Sequence, residues 1–154
     1  MTTKRTAVLI SGRGSNMTAL IEAATHPDFP ADIALVISNQ PGASGIALAQ
    51  ARNIAVTIIP HHGKTREQFD TELDATLRQH GIELVCLAGF MRILSDGFVR
   101  AWQGRLINIH PSLLPAFKGI NVQAQALAAG VRVSGCTVHF VVPELDSGPI
   151  IEQA

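Results

Sequence analysis

Three short stretches of this sequence carry side chains suited to chemistry. In "LINIHPSLLPAFKG", residues 106 to 119, an apolar run ends in an amide and an imidazole, Asn108 and His110, and is then held by Pro111 and Pro115. Strand residues two apart share a face, so the amide and the ring should head one surface together. In "VPELDSGP", Asp146 follows a strand-like run that carries Thr137 and His139. By type alone, an Asp before Ser-Gly-Pro is a turn residue, and a histidine at a strand end is a hydrogen-bonded structural group. Brought beside His110, the carboxylate would instead stabilise the imidazolium and orient it for acid-base work near neutral pH. Asn108 would offer a neutral N–H donor to a developing oxyanion. No nucleophile accompanies the three. Direct passage of an acyl group between two bound substrates suits such a set better than a covalent intermediate, because the attacking atom can come from a substrate.

The third stretch is "SGRGSN", residues 11 to 16, between the first apolar run and a helical pattern. Gly12 and Gly14 would let the backbone approach a phosphate, Ser15 and Asn16 add side-chain donors, and a helix N-terminus favours an anion. The dinucleotide fingerprint asks for a small residue where Met17 stands and an acid where Ser38 and Asn39 stand, which disfavours NAD. A Walker ending of Gly-Lys-Ser/Thr is absent, and no Gly-x-Ser-x-Gly elbow makes Ser15 a nucleophile. A phosphate cradle and a plain glycine turn both remain open on this loop alone.

Positioning such groups needs a scaffold, and the apolar runs supply one. "TAVLI" (6–10), "IALVIS" (33–38), "AVTII" (55–59), "ELVCLA" (83–88) and "RLINI" (105–109) are continuous rather than alternating, as strands covered on both faces are. Between them Met17, Leu20, Ile21 and Ala24, then Phe69, Leu73 and Leu77, follow helical spacing. After residue 120 an alanine-rich helix, "VQAQALAAG", closes on Gly130. "GCTVHFVV" and "GPIIEQA", joined by the short "PELDS", predict an antiparallel hairpin. The fold class expected is α/β: a Rossmann-like doubly wound, mostly parallel sheet with a C-terminal antiparallel hairpin, in a single domain over 1–154.

With 154 residues the chain can bury about 68–70% of its unfolded surface. A hydrophobic fraction of 47% with no Tyr suits an aliphatic α/β core. Twelve basic residues balance twelve acidic ones without a basic stripe, so neither nucleic acid nor an anionic membrane is an expected partner. The apolar run Ala7 to Ile10 is too short for a signal-peptide core, and "SNQPGASG" interrupts the longest uncharged stretch, so a cytoplasmic protein is expected. Cys86 and Cys136 sit in strand-like runs as buried thiols. The adjacent His61 and His62 have no carboxylate or cysteine cluster at ligand spacing, so no metal is expected.

"ISGRGSN", "LAGFMRIL", "INIHPSLLP" and "HFVVPELDSGPII", in this order and spacing, resemble the phosphoribosylglycinamide formyltransferases, folate-dependent enzymes of purine synthesis. The likeness runs from about residue 6 to the end. It implies the formyltransferase fold and formyl transfer from 10-formyltetrahydrofolate, the cosubstrate, to the amino group of glycinamide ribonucleotide, without a metal. It further implies that Gly14, Ser15 and Asn16 hold the ribose phosphate, and that Asn108, His110 and Asp146 form the catalytic trio. Folate contacts implied by the same likeness are Arg66, Met91, Arg92, Ile93, Leu94 and Asn108, with Val142, Pro143, Glu144, Leu145 and Asp146.

Two departures accompany the resemblance. After Gly119 this chain reads "INVQAQAL" where many members have a histidine-bearing "LHTH" segment. Members also continue past "IIEQA" by a further strand and helix, so the chain is expected to lack the usual C-terminal strand and helix. The uncovered edge would invite association, as in a homodimer. Formyltetrahydrofolate deformylase is the nearest rival, but its members read "HHS" at His110 to Ser112 and carry a preceding regulatory domain. Methionyl-tRNA formyltransferase carries a C-terminal tRNA-binding domain. A folate- or phosphate-binding module without turnover is the alternative from another class.

Overall fold

A computed structural model describes residues 3–154. Seven strands form one sheet in the order β3-β2-β1-β4-β5-β6-β7. The middle strand of the parallel set, β1 (Lys4–Ile10), pairs with β2 (Ala31–Ser38) and β4 (Leu84–Leu87). β3 (Ala55–Ile58) extends the parallel set beyond β2, and β5 (Leu106–His110) extends it beyond β4. The five continuous apolar runs thus become the five parallel strands, each boundary within a residue or two of its run.

The continuity of those runs follows from cover on both faces. Along β1, Ala7 and Leu9 enter one core with Phe69, Leu73 and Leu77 of α3 (Arg66–Gln79) and Phe98 and Val99 of α4 (Asp96–Ala101). Val8 and Ile10 enter the other core with Met17 and Ile21 of α1 (Ser15–Ala23). Each large apolar side chain taken from water there contributes about 1.5–3 kcal/mol. Ala49 of α2 (Gly45–Gln50) joins the second core.

Local chemistry fixes where the helices begin. Thr65 Oγ1 accepts from Gln68 N at 3.2 Å, while Gln68 Oε1 accepts from Thr65 N at 2.9 Å, a reciprocal capping box at the head of α3. Ser95 caps α4 through Phe98 N. α4 is pinned to α3 by the buried Trp102, whose Nε1 donates to Asp74 at 2.8 Å.

The predicted change of character after residue 120 is present. α5 (Val122–Ala129) ends on Gly130 in the left-handed region. β6 (Thr137–Phe140) and β7 (Ile150–Gln153) are antiparallel neighbours, as expected, and β6 is also antiparallel to β5. That second pairing sets Asn108 opposite His139 and His110 opposite Thr137.

Candidate active site

β5 delivers Asn108 and His110 to one face, the side of Leu106 and the α3 core, because alternation leaves Ile107 and Ile109 to the other. His110 is 4% exposed. Its Nε2 donates to the Phe117 carbonyl at 2.8 Å, which fixes a hydrogen on that nitrogen. Nδ1 faces Asp146 Oδ2 at 3.6 Å. With Nε2 already donating, only the doubly protonated ring offers a hydrogen to the carboxylate as well.

Asp146 reaches this position because the β6–β7 connection folds back over the sheet. The residue sits at φ 48, a left-handed conformation that Asp and Asn adopt more readily than other side chains. Its Oδ2 also accepts from Gly119 N at 2.8 Å, so the acid anchors the loop that follows β5. Asp146 thus occupies a turn and lies beside His110 at once.

A fourth group, His139, completes the cluster. Its Nδ1 donates to the Phe140 carbonyl at 3.0 Å, so in the neutral ring Nε2 carries the lone pair. That nitrogen lies 3.4 Å from Asn108 Nδ2 and 4.0 Å from Asp146 Oδ1. One amide hydrogen of Asn108 is thereby turned toward His139, leaving the second for another acceptor. The sequence placed His139 on the same strand as Thr137 but gave it no role. The β5–β6 register, which pairs it with Asn108, is a tertiary fact with no local signal.

The loop after β5 is fastened from below. Thr137 is fully buried; its Oγ1 donates to the Ser112 carbonyl at 2.7 Å and accepts from Leu114 N at 3.0 Å. Gln153 of β7 donates to Thr137 Oγ1 and to the Leu114 carbonyl, each at 2.9 Å. The Leu114–Pro115 peptide is cis.

The glycine loop ends at Gly14, the residue capping α1, with φ 72 and no side-chain cap. The first N–H groups of α1 thus have no side chain of the cap residue as partner. A Cβ at Gly14 would lie 2.9 Å from Met17 Cε and 3.1 Å from Gly45 Cα, so conformation and space both demand glycine. A Cβ at Gly12 would meet nothing within 4 Å. Ser15 and Asn16 are exposed in the first turn of α1. Asn16 borders a mostly apolar cleft of about 270 Å³ on the α1 face of the sheet, with Leu20, Ile107, Ile109 and Val138 on its walls; the Asn108 side chain heads the other face.

The residues tied by resemblance to the folate are spread over three segments. Arg66 is the exposed first residue of α3. Met91 and Ile93 are 74% and 62% exposed, large apolar side chains presented to solvent rather than packed. Arg92 lies over the Phe69 ring at 4.6 Å and donates to the Thr65 carbonyl at 3.3 Å, with its Nε buried and unpaired. Leu94 is buried in the α3-side core. Val142 and Pro143 are half-buried, and Glu144 and Leu145 are exposed beside Asp146. Among the described residues no group of three or more His, Cys, Asp and Glu side chains is placed to hold a metal ion. No helix among them is long and apolar enough to cross a membrane.

A parallel sheet with loops converging at its carboxyl ends, and an amide, imidazole and carboxylate gathered there without a nucleophile, define a group-transfer scaffold. Residues 4–154 match the formyl transferase family, and the chain belongs to it. It is 51% identical to the trifunctional purine biosynthetic protein adenosine-3 of Gallus gallus over 97% of this chain, and spans 15% of that protein's length. It is 42% identical to the phosphoribosylglycinamide formyltransferase of Bacillus subtilis, covering 97% of this chain and 77% of that one. Among solved structures, glycinamide ribonucleotide transformylase 1 from Symbiobacterium toebii superposes with a TM-score of 0.95 at 42% identity, over 99% of this chain and 72% of that one. Phosphoribosylglycinamide formyltransferase from Anaplasma phagocytophilum does so with a TM-score of 0.90 at 48% identity, over 97% and 69%.

Proposed function

We propose that this protein transfers the formyl group of 10-formyltetrahydrofolate to the amino group of 5-phosphoribosylglycinamide, in purine biosynthesis. The observation that carries the reading is the return of Asp146 to within 3.6 Å of His110, beside Asn108. It occurs in a chain whose relatives include phosphoribosylglycinamide formyltransferases.

The acceptor's phosphate would be held at Gly14, Ser15 and Asn16, where unpaired N–H groups and the helix dipole favour an anion. Its amine would extend across the carboxyl ends of the parallel strands toward Asn108. The folate would lie against Met91 and Ile93, whose exposed apolar side chains suit a flat aromatic partner, with Arg66, Arg92 and the Val142 to Asp146 segment around it. Leu94 would support that ledge from the core.

The donor supplies a formyl carbon already activated toward an amine. As the amine attacks, negative charge develops on the formyl oxygen, and the free N–H of Asn108 donates to it. Protonated His110 stabilises the same charge, and Asp146 balances the imidazolium. The attacking nitrogen loses a proton, which Asp146 can relay through water to the folate nitrogen as that nitrogen's bond to the formyl carbon breaks, releasing tetrahydrofolate and the formylated acceptor. His139, accepting from Asn108, keeps the amide turned correctly. Within the same proposal the partners are small molecules, residues 3–154 work as one domain on their shared sheet, and the reaction is cytoplasmic.

The test is incubation of the protein with 10-formyltetrahydrofolate, with and without glycinamide ribonucleotide. Tetrahydrofolate formed only with the amine supports transfer. Formate released without it supports a deformylase, and binding without turnover supports a ligand-binding module.

A further inference from the structure

At the head of the sheet a chain of hydrogen bonds lies outside the cluster around His110. Asn39 follows β2, is fully buried, and accepts from Ser11 Oγ at 2.5 Å. The other end of its amide meets His61 Nδ1 at 3.2 Å, and that nitrogen also lies 3.1 Å from the Asn39 carbonyl. Ser11 Oγ in turn accepts from Met91 N at 2.7 Å. A hydroxyl has one hydrogen to give; with that hydrogen on Asn39, its lone pairs are left for the Met91 N–H. The relay therefore runs from the buried amide, through the hydroxyl, to the backbone of the loop after β4.

Phe90 packs on the Phe69 ring, 6.2 Å between centroids, but the loop's backbone has few bonds of its own. Ala88 N is still bonded to Leu9 O, at 2.9 Å, as the last rung beside β4. Gly89 then turns with φ 72. Among the described residues, the bond to Ser11 is the one hydrogen bond made by the backbone of residues 89 to 91. Further along, Arg92 reaches Thr65 and Ser95 N is bonded by Asp70. The glycine loop, by contrast, has its own fastenings, since Gly45 N donates to Gly12 O and Thr18 N to Gly14 O.

We propose that Asn39 and Ser11 are positioning residues that set the height of the Met91–Ile93 ledge and so tune recognition of the flat, aromatic end of the formyl donor. This rests on the donor site proposed above. Neither residue touches the reacting atoms. A segment whose backbone is bonded at one place gains freedom there when that bond is removed, and the loss falls on whatever binds the segment.

Ser11→Ala removes the hydroxyl and leaves the buried amide in place; Asn39→Leu removes the amide; Asn39→Asp keeps an acceptor for Ser11. Amide hydrogen exchange at Met91 reads the tether directly, and KM and kcat for each substrate read its consequence. In Ser11→Ala, Met91 exchange should quicken and the donor KM rise about tenfold, the worth of one hydrogen bond, with kcat and the acceptor KM within about threefold. Asn39→Leu should do the same, and Asn39→Asp should restore Met91 protection and donor KM toward the parent. If Asn39→Leu does not fold, Ser11→Ala decides alone. Unchanged Met91 exchange in Ser11→Ala overturns the tether. Faster exchange with an unchanged donor KM overturns the positioning role. A parent protein that binds no folate refutes the donor site, and with it the ledge's role, while Met91 exchange still reports whether the tether exists.

Discussion

Asp146 carries two separable duties, and replacing it should separate them. The amide of Asp146→Asn can still accept from Gly119 N, now as a neutral acceptor, and Asn tolerates the φ of 48. A hydrogen bond to a charged group contributes about 1.5–3 kcal/mol against about 0.5–1.5 for a neutral one, so this variant should lose about 1 kcal/mol. Asp146→Ala forfeits the bond and places alanine in the left-handed region, which adds about 1–2 kcal/mol. At this chain length each kcal/mol lowers Tm by about 2–4 °C, so the alanine variant should melt clearly below the asparagine variant. Turnover should not follow that ranking. Neither side chain balances an imidazolium on His110 or accepts a proton, so both should lose about 10²–10⁴ in kcat. Thermal melts and single-turnover formyl transfer on the same preparations give both numbers. Asp146→Asn turning over within threefold of the parent, or turnover tracking Tm across the pair, would show that the acid acts only as an anchor for Gly119.

Three further outcomes are expected. Asn108→Ala should lower kcat by the equivalent of about 2.7–4 kcal/mol while donor KM stays near the parent's, and a rise in KM at unchanged kcat would make Asn108 a binding residue only. Gly14→Ala should destabilise by about 1–2 kcal/mol because φ is 72 there, and should raise the KM of the phosphorylated acceptor more than that of the folate; equal losses would place the phosphate elsewhere. Burial pushes the Cys86 thiol up to about 11, so alkylation of the native protein at pH 8 should spare Cys86. Because the unfolded thiol ionises near its ordinary value of 9.0, stability should fall as pH rises from 9 toward 11, and Cys86→Ala should remove that part of the alkaline slope.

How much of this was readable beforehand depended on whether the signal was local. The five parallel strands declared themselves because both faces are covered, which makes the apolar runs continuous, and α1 and α3 showed in the spacing of Met17 and Ile21 and of Phe69, Leu73 and Leu77. α2 and α4, six residues each, are too short to build a periodic pattern and were not anticipated. Asn108 and His110 could be paired from strand alternation alone. Asp146 could not, since its approach depends on a hairpin loop folding back across the sheet. His139 was invisible as a partner because its place opposite Asn108 comes from the antiparallel β5–β6 register. Met91 and Ile93 are exposed although residues of their types are most often buried, so neither type nor local pattern announces the ledge.

The most direct test is a single turnover with donor labelled at the formyl carbon, glycinamide ribonucleotide present, and enzyme in excess over donor. Mass spectrometry follows where the labelled carbon goes. Direct attack by the amine, aided by Asn108, His110 and Asp146, predicts label on the acceptor nitrogen in one-to-one yield with tetrahydrofolate, and the same products at a rate reduced about 10²-fold or more in Asp146→Asn. Label recovered as formate, or on the acceptor at undiminished rate in Asp146→Asn, would contradict it.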